Sequence, residues 1–367
     1  MKVLFIGIQN IFGNINNGGS QCSYRNFDLI TSIIGKDNTY AAIVWNETRN
    51  GCQCRYFKRT ENNIEAFFAS ICKCRFYMPS EEKKILSYVD EIQPDVIFLD
   101  TSLLGKILRK VDKKTIVFFH NIEADYTWNK VRKEGIGYLL VYWATKYNEK
   151  QAMRADRIVC LNNRDSVRMK KLYGRRADFL LPITFKDTFD KDKTTCSYKR
   201  EILFLGSLFP PNEISIEWFI KEVVPKLQGI TLNIVGKDFE KQKEKYEQNE
   251  NVKVIGTVEE LASYYYSHAA VVLPIKYGAG MKVKTAEAMM YGRRIFASDE
   301  ALEGYEVEGI NGISRCNTVQ EYVNAINTYF EKEEQKPYEE KVRTLFLKNY
   351  ETKVVKQKFF EMINELR

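Results

Sequence analysis

The sequence predicts an α/β protein made of two Rossmann-like, doubly wound domains whose parallel sheets face a cleft. Three observations carry that prediction. Short apolar runs rich in Val, Ile, Leu and Phe alternate with amphipathic stretches, the pattern of strands buried on both faces between covering helices. One polar, aperiodic segment, residues 186–200, interrupts the alternation, which then restarts. The 367 residues also exceed what one core usually holds, at about 150 residues per domain.

In the first domain, residues 1–185, strands are expected over 2–8, 40–45, 95–100, 115–120, 157–161 and 178–181. Helices such as 20–34, 81–92 and 138–154 separate them. The segment 186–200 reads as the linker. In the second domain, residues 201–340, strands are expected over 201–206, 231–235, 252–256, 269–275 and 294–297. Helices are expected over 212–227, 259–267, 283–291, 319–330 and from 337 onward, with residues 341–367 crossing back to the first domain. Ligands of open parallel sheets sit beyond the carboxyl ends of the strands, so the loops there are where chemistry is expected.

Composition narrows the class. With 44% apolar and 28% charged residues the chain is too apolar for disorder and too charged for a bundle of membrane spans. Residues 137–145, the most apolar later stretch, are about half of the ~20 needed to cross a bilayer. Met1-Lys2 leads into Val3-Leu4-Phe5-Ile6-Gly7, a strand rather than a signal peptide, so a cytoplasmic location and reduced thiols are expected. Cys52-x-Cys54 and Cys72-x-Cys74 have gaps too short for a zinc knuckle. Asp190-Lys191-Asp192 has the Asp-x-Asp form that holds a metal on a nucleotide sugar, but sits in the polar linker instead of at a strand end. No metal or other cofactor is expected. The net charge of +8 is uneven: residues 101–180 hold 18 basic and 8 acidic residues, a net of +10, which implies an anionic partner for the first domain.

Three loops offer chemistry. Gly18-Gly19-Ser20 follows the first strand. Ser20 is expected to cap the next helix beside two residues without side chains, a place for a phosphate or a sugar hydroxyl, or else a plain turn. His120 ends the strand 115–120 in the ligand-facing position, where it is either a donor to a sugar or a histidine satisfied by backbone. His268, after Tyr264-Tyr265-Tyr266, reads as structural. The strongest segment is 273–292, in which a strand ends in Gly278-Ala279-Gly280 and a helix opens with Lys282 and Lys284. Cations at a helix N-terminus oppose the macrodipole, so two of them point to a bound anion such as a diphosphate. Glu287, one turn on, suits a ribose diol; the alternative is a Lys284–Glu287 surface pair.

On these residues the chain resembles a retaining glycosyltransferase of family 4, the group 1 transferases of the two-Rossmann-domain GT-B class. The resemblance runs over nearly the whole length and is most specific from Ile202 to Glu308. It rests on Phe204-Leu-Gly-Ser-Leu-Phe-Pro-Pro-Asn212, Trp218, Val224-Pro225, Ile234-Val-Gly-Lys237, Val254-Ile-Gly-Thr257, the 278–292 block and Glu303-Gly304, with Gly18-Gly19 and His120-Asn121 in the first domain. It implies that the second domain binds a nucleotide sugar and the first an acceptor. Glu287 would then bind the ribose, Lys282 and Lys284 the diphosphate, and Gly278 and Gly280 would leave amides near the phosphates. Gly236, Lys237, Gly256 and Thr257 would lie by the base, Gly18 and Gly19 by the donor, and His120 by its sugar. The family's Glu-x7-Glu pair is incomplete, because Ala279 stands eight residues before Glu287, as in the subgroup with Pro-Asn in the opening loop.

The expected reaction is transfer of a sugar from a nucleotide-diphosphate-sugar with retention, by a front-face route in which the departing phosphate takes the acceptor proton. The expected catalytic residues are His120 and Lys282. Trp128, Lys130, Arg132, Lys133, Tyr142, Trp143 and Lys146 mix aromatic and cationic character. They suit an anionic membrane surface and a lipid-linked saccharide acceptor of capsule or O-antigen assembly, or else a solvated helix over core aromatics. A nucleotide-sugar epimerase and a non-catalytic binding homologue are the alternatives. Nucleic acid is not expected, since no zinc finger or RNA-reading motif is present.

Overall fold

A computed structural model describes residues 1–12, 18–46, 53–195, 199–278, 280–332 and 335–366. It divides into two compact units, Met1–Leu181 with Lys356–Arg367, and Pro182–Val355.

The first unit runs β1 (Val3–Gly7), α1 (Gly18–Ile34), β2 (Thr39–Val44), β3 (Cys54–Phe57), α2 (Asn63–Ile71), α3 (Pro79–Ile92) and β4 (Val96–Leu99). It continues through β5 (Lys114–Phe119), α4 (Glu123–Glu134), α5 (Leu139–Ala152), β6 (Arg157–Cys160), α6 (Asn163–Tyr173) and β7 (Phe179–Leu180). Among the described residues its seven strands pair in parallel in the order β3-β2-β1-β4-β5-β6-β7. The chain winds outward from β1 to β3 and resumes at β4 on the other side, so β1 and β4 flank the switch point. Every residue of β1 and β4 is buried, as strands covered on both faces must be. Phe5 stacks on Phe98 with centroids 5.7 Å apart, and Phe98 meets Phe359 of the C-terminal segment at 5.9 Å.

Local chemistry sets the helix ends. Pro79 opens α3 where a missing N–H costs nothing, and Asn62 and Asn162 cap α2 and α6. Gly174, at φ 83°, stops α6 in the left-handed conformation that a side chain disfavours. Two elements escape the sequence pattern. Strand β3 is a sheet edge, and Cys54, Arg55 and Tyr56 are only half-buried there, so it has no apolar run. Helix α2 has its apolar residues on the solvent side.

The second unit runs β8 (Glu201–Leu205), α7 (Pro210–Glu222), β9 (Thr231–Val235), α8 (Lys243–Tyr246), β10 (Val252–Gly256), α9 (Ala262–Ser267) and β11 (Ala270–Leu273). It continues through α10 (Val283–Met290), β12 (Arg294–Ala297), β13 (Ile313–Arg315), α11 (Val319–Lys332) and α12 (Glu340–Asn349), into α13 (Thr352–Asn364). Its described strands are again all parallel, ordered β10-β9-β8-β11-β12-β13, with the switch point between β8 and β11. The helical C-terminus expected from 337 forms two helices, α12 and α13. The break at Tyr350–Glu351 lets Phe185 bridge to the chain, its N–H donating to Tyr350 O at 3.1 Å and its carbonyl accepting from Thr352 N–H at 3.0 Å. Within 186–195, Phe189 packs on Tyr338 at 5.1 Å and the Asp190 N–H donates to the Tyr266 hydroxyl at 2.7 Å.

Candidate functional site

In the second unit the carboxyl ends of β8, β9, β10 and β11 bring their loops together. Gly206 and Gly236 touch backbone to backbone: a Cβ on Gly236, whose φ is 138°, would lie 1.6 Å from Gly206 O. The Gly236 N–H in turn donates to Gly256 O at 2.7 Å. At the end of β10, Thr257 donates from N–H and Oγ1 to the Glu240 carboxylate, each at 3.1 Å. Gly236, Gly256 and Thr257 therefore brace neighbouring strand-end turns, while Lys237 is exposed at the same edge.

At the switch point α10 follows β11. Lys282 is its N-cap residue and Lys284 lies in its first turn. The Lys282 ammonium donates to Glu300 Oε1 at 2.6 Å and to Gly280 O at 2.7 Å. Its cation thus has a carboxylate partner within the protein, which modifies the sequence argument that only a bound anion accounts for it. The Lys284 ammonium reaches the other way, donating to Asn212 Oδ1 at 2.7 Å and standing 4.7 Å over the Phe204 ring. Asn212 is fixed by its own amide, which donates to Ser207 O at 2.8 Å. Lys284 bonds Asn212, and the surface-pair alternative with Glu287 does not describe it.

Burial, then the like charge of Lys282, lowers the Lys284 pKa to about 7, against the opposite pull of Glu287. Burial raises Glu287 to about 7, opposed by the Tyr265 hydroxyl, 3.5 Å from Oε2, and by Lys284. Tyr265 is held by stacking on Tyr291 at 4.6 Å. The result is a cation and a carboxylate with pKa values near neutrality, on one face of a helix whose N-terminus opens at the switch point, where backbone N–H groups favour anions. Gly278 is exposed and Gly280 buried at φ 66°, on either side of Ala279, which lies outside the described residues.

In the first unit, Gly18 and Gly19 are themselves the first residues of α1. Ser20 therefore sits buried inside the first turn and is not the cap the sequence suggested. His120 follows β5; its Nε2–H donates to Asp100 O at 2.8 Å, with Asp100 Oδ2 at 3.3 Å. Asn26 Nδ2 donates to the other Asp100 oxygen at 2.7 Å, and Arg25 donates to Cys22 Sγ at 3.3 Å. Burial pulls the His120 pKa down, but Cys22 and Asp100 outweigh it and hold it well above the usual value. Burial likewise raises the Cys22 thiol, and Arg25 and His120 together bring it below the ordinary value.

His268 is buried among fixed partners: Nδ1–H donates to Tyr264 O at 2.8 Å and Nε2 accepts from Asn233 Nδ2 at 2.7 Å. Burial lowers its pKa. Asp190 caps the turn Lys191–Lys193 by accepting from Asp192 N–H at 3.0 Å. Cys74 is buried beside Lys106 at 3.3 Å, Cys54 is half-buried, and Cys52 lies outside the described residues. No three His, Cys, Asp or Glu side chains cluster as a metal site among the described residues. Sequence reasoning missed Asn212 as the Lys284 partner, Glu300 as the Lys282 partner, and Tyr265 and Asp100. The Pro-Pro-Asn helix start was a visible signal for Asn212, and the isolated Asp100 at a strand end one for His120.

Residues 199–332 match the family model of glycosyl transferases group 1. No curated protein sequence matches the chain. Among solved structures, it is similar to the sucrose-phosphate synthase of Thermosynechococcus elongatus, with TM-score 0.74 and 12% identity, covering 100% of this chain and 99% of that one. It is also similar to HepE of Anabaena in complex with UDP, with TM-score 0.71, 14% identity and 100% of both chains covered. A third is WaaG, a glycosyltransferase involved in lipopolysaccharide biosynthesis, with TM-score 0.67 and 12% identity over 98% of this chain and 99% of that one. The likeness to these solved structures shows the two-Rossmann-domain GT-B fold, and the match to the group 1 glycosyl transferase model falls within the second unit.

Proposed function

We propose that the protein transfers a sugar from a nucleotide-diphosphate-sugar to a lipid-linked or oligosaccharide acceptor, with retention at the anomeric carbon. The observation that carries this reading is the Lys284–Asn212 contact at the β8–β11 switch point, with Lys282 and Glu287 on the same helix. HepE, of the same fold, is described in complex with UDP-glucose, which supports a uridine donor as the first to try.

In this reading the diphosphate lies against the N-terminus of α10, with Lys282 and Lys284 on its oxygens and Glu287 on the ribose. Departure of the nucleoside diphosphate builds negative charge, which both ammonium groups and the helix amides stabilise. The bond from the anomeric carbon to the phosphate oxygen breaks on the face where the acceptor oxygen bonds, and that phosphate oxygen takes the acceptor proton. His120 stabilises charge at the transferred sugar, and Gly18 and Gly19 give backbone N–H groups to the donor. Gly236, Lys237, Gly256 and Thr257 stand at the base end, Gly278 and Gly280 at the phosphates. No metal is invoked.

The +10 segment of the first unit supports an anionic membrane surface and a bacterial capsule or O-antigen type of acceptor, at the inner face of the plasma membrane. Among the described residues no helix is long and apolar enough to cross a membrane. Thermal shift against a panel of nucleotide sugars tests donor binding, since a ligand at 100 times its Kd adds ~2.7 kcal/mol. Product analysis separates the alternatives: conversion of donor alone marks an epimerase, and binding without turnover on any acceptor a non-catalytic protein.

A further inference from the structure

Helix α2 is packed inside out. Asn62 starts it by accepting the Glu65 N–H at 2.9 Å, so the helix is a defined element. Its small residues Ala69 and Ser70 are buried against the unit, whereas Ile64, Phe67, Phe68 and Ile71 are 70%, 49%, 53% and 51% exposed. Those four stand at i, i+3, i+4 and i+7, one continuous stripe, which in a water-facing helix would ordinarily be polar. The helix lies against α5, where Trp143 is 61% exposed, and Ile136, just before α5, is 81% exposed.

Cations stand just past α2, on α5, and on α4, the other helix packed on α5. Lys73, two residues past α2, stands 4.7 Å over the Tyr147 ring of α5, and Lys146 stands 5.7 Å over Tyr142. Arg132 and Lys133 end α4 exposed. The acids at the start of α2, Glu61 and Glu65, face Lys58 at 3.5 and 3.9 Å. A second copy of this chain would meet the cations with its own, and a nine-residue helix offers little of the ~800 Å² per partner that a stable dimer needs. Exposed Phe and Ile beside Trp, Tyr, Lys and Arg match an anionic lipid interface instead.

We propose that α2 is a membrane-insertion helix, its Ile64-Phe67-Phe68-Ile71 stripe entering the headgroup–acyl boundary of an anionic bilayer beside the cations of α4 and α5. The inference rests on the membrane reading above and adds to it the element that enters the bilayer.

Flotation of the full chain with phosphatidylcholine vesicles containing about one-third phosphatidylglycerol tests it, with Phe67→Ser/Phe68→Ser and Arg132→Glu/Lys133→Glu as variants. The wild type floats, and Phe67→Ser/Phe68→Ser lowers the bound fraction about tenfold or more, with residual wild-type binding persisting in high salt. Equal flotation of that variant, with loss only in Arg132→Glu/Lys133→Glu, overturns the insertion helix and leaves surface attachment standing. A wild type that stays at the bottom of the gradient overturns both. A dimer of the wild type that Phe67→Ser/Phe68→Ser converts to a monomer assigns the stripe to a second copy and also overturns the inference. Nucleotide-sugar thermal shift, measured on the same preparations, reports folding and the donor site independently of lipid.

Discussion

Lys284 and Asn212 meet at 2.7 Å, tying the first turn of α10 to the first turn of α7 across the point where the second sheet reverses its winding. A neutral amide partners the ammonium there, and Glu287 is the carboxylate that partly offsets its burial. The cation is therefore held close to losing its proton, and an arriving polyanion changes that balance.

Donor affinity follows from this. A bound diphosphate favours the charged Lys284, so binding takes up a proton once the pH exceeds the ligand-free value of about 7, and affinity weakens as pH rises through it. Titration calorimetry in two buffers of different ionisation enthalpy shows proton uptake at pH 8 for the wild type, and Lys284→Met abolishes the uptake. Equal heats in both buffers would contradict the assignment.

Stability is affected with opposite signs by the two groups. Glu287, near 7 when folded against an ordinary 4.5, binds more protons in the native state, so its contribution is present below 4.5 and is lost as pH rises to about 7. Lys284, near 7 when folded against 10.5, binds more protons in the unfolded state, so stability recovers as pH rises from 7 toward 10.5. Denaturant titrations across this range show a minimum near pH 7; Glu287→Gln flattens the acid limb and Lys284→Met the alkaline limb. Loss of neither limb would refute the burial of these groups.

The chain has two histidines, which makes their titration directly readable. By NMR, one ring titrates well above the ordinary value and disappears in His120→Gln, and the other titrates below it. Asp100→Asn moves the first downward. Two rings titrating together near 6.5 would remove the Asp100–His120 pair from the account.

Lys282→Ala is expected to lower kcat by ~10²-fold, with a smaller change in KM, if its charge meets the leaving diphosphate in the transition state. Unaltered kinetics in a folded variant would show that the Glu300 pair is the whole role of Lys282.

Gly236→Ala places a Cβ against Gly206 O in a backbone conformation that side chains avoid. A loss of about 3 kcal/mol by chemical denaturation is expected, of the size seen when strain and a forced backbone shift combine. A loss within 0.5 kcal/mol would mean the two turns separate easily.

Interior strands are legible in the sequence because burial on both faces leaves continuous apolar runs: 231–235 and 294–297 have the expected bounds, as does the edge strand 252–256, where Lys253 and Ile255 are exposed. Edge strands β3 and β13 lack that signature, since three of the four residues of β3 and all three of β13 are only partly buried or exposed. Helix α2 hid for a related reason: its stripe faces outward, and no rule of burial marks it. At the site, the Gly-x-Gly loop and Lys282, Lys284 and Glu287 stood out because they are local in sequence. Asn212 lies 72 residues from Lys284 and Glu300 lies 18 from Lys282, and pairings at such separation are set by the sheet order.

A structure of the protein with a nucleotide-diphosphate-sugar tests the central claim most directly. The diphosphate is expected at the 278–284 turn, with its oxygens within hydrogen-bond distance of the α10 amides and of the Lys282 and Lys284 ammonium groups, and the ribose diol on Glu287. A donor bound elsewhere in the second unit, with Lys284 still on Asn212 and Lys282 still on Glu300, would contradict it.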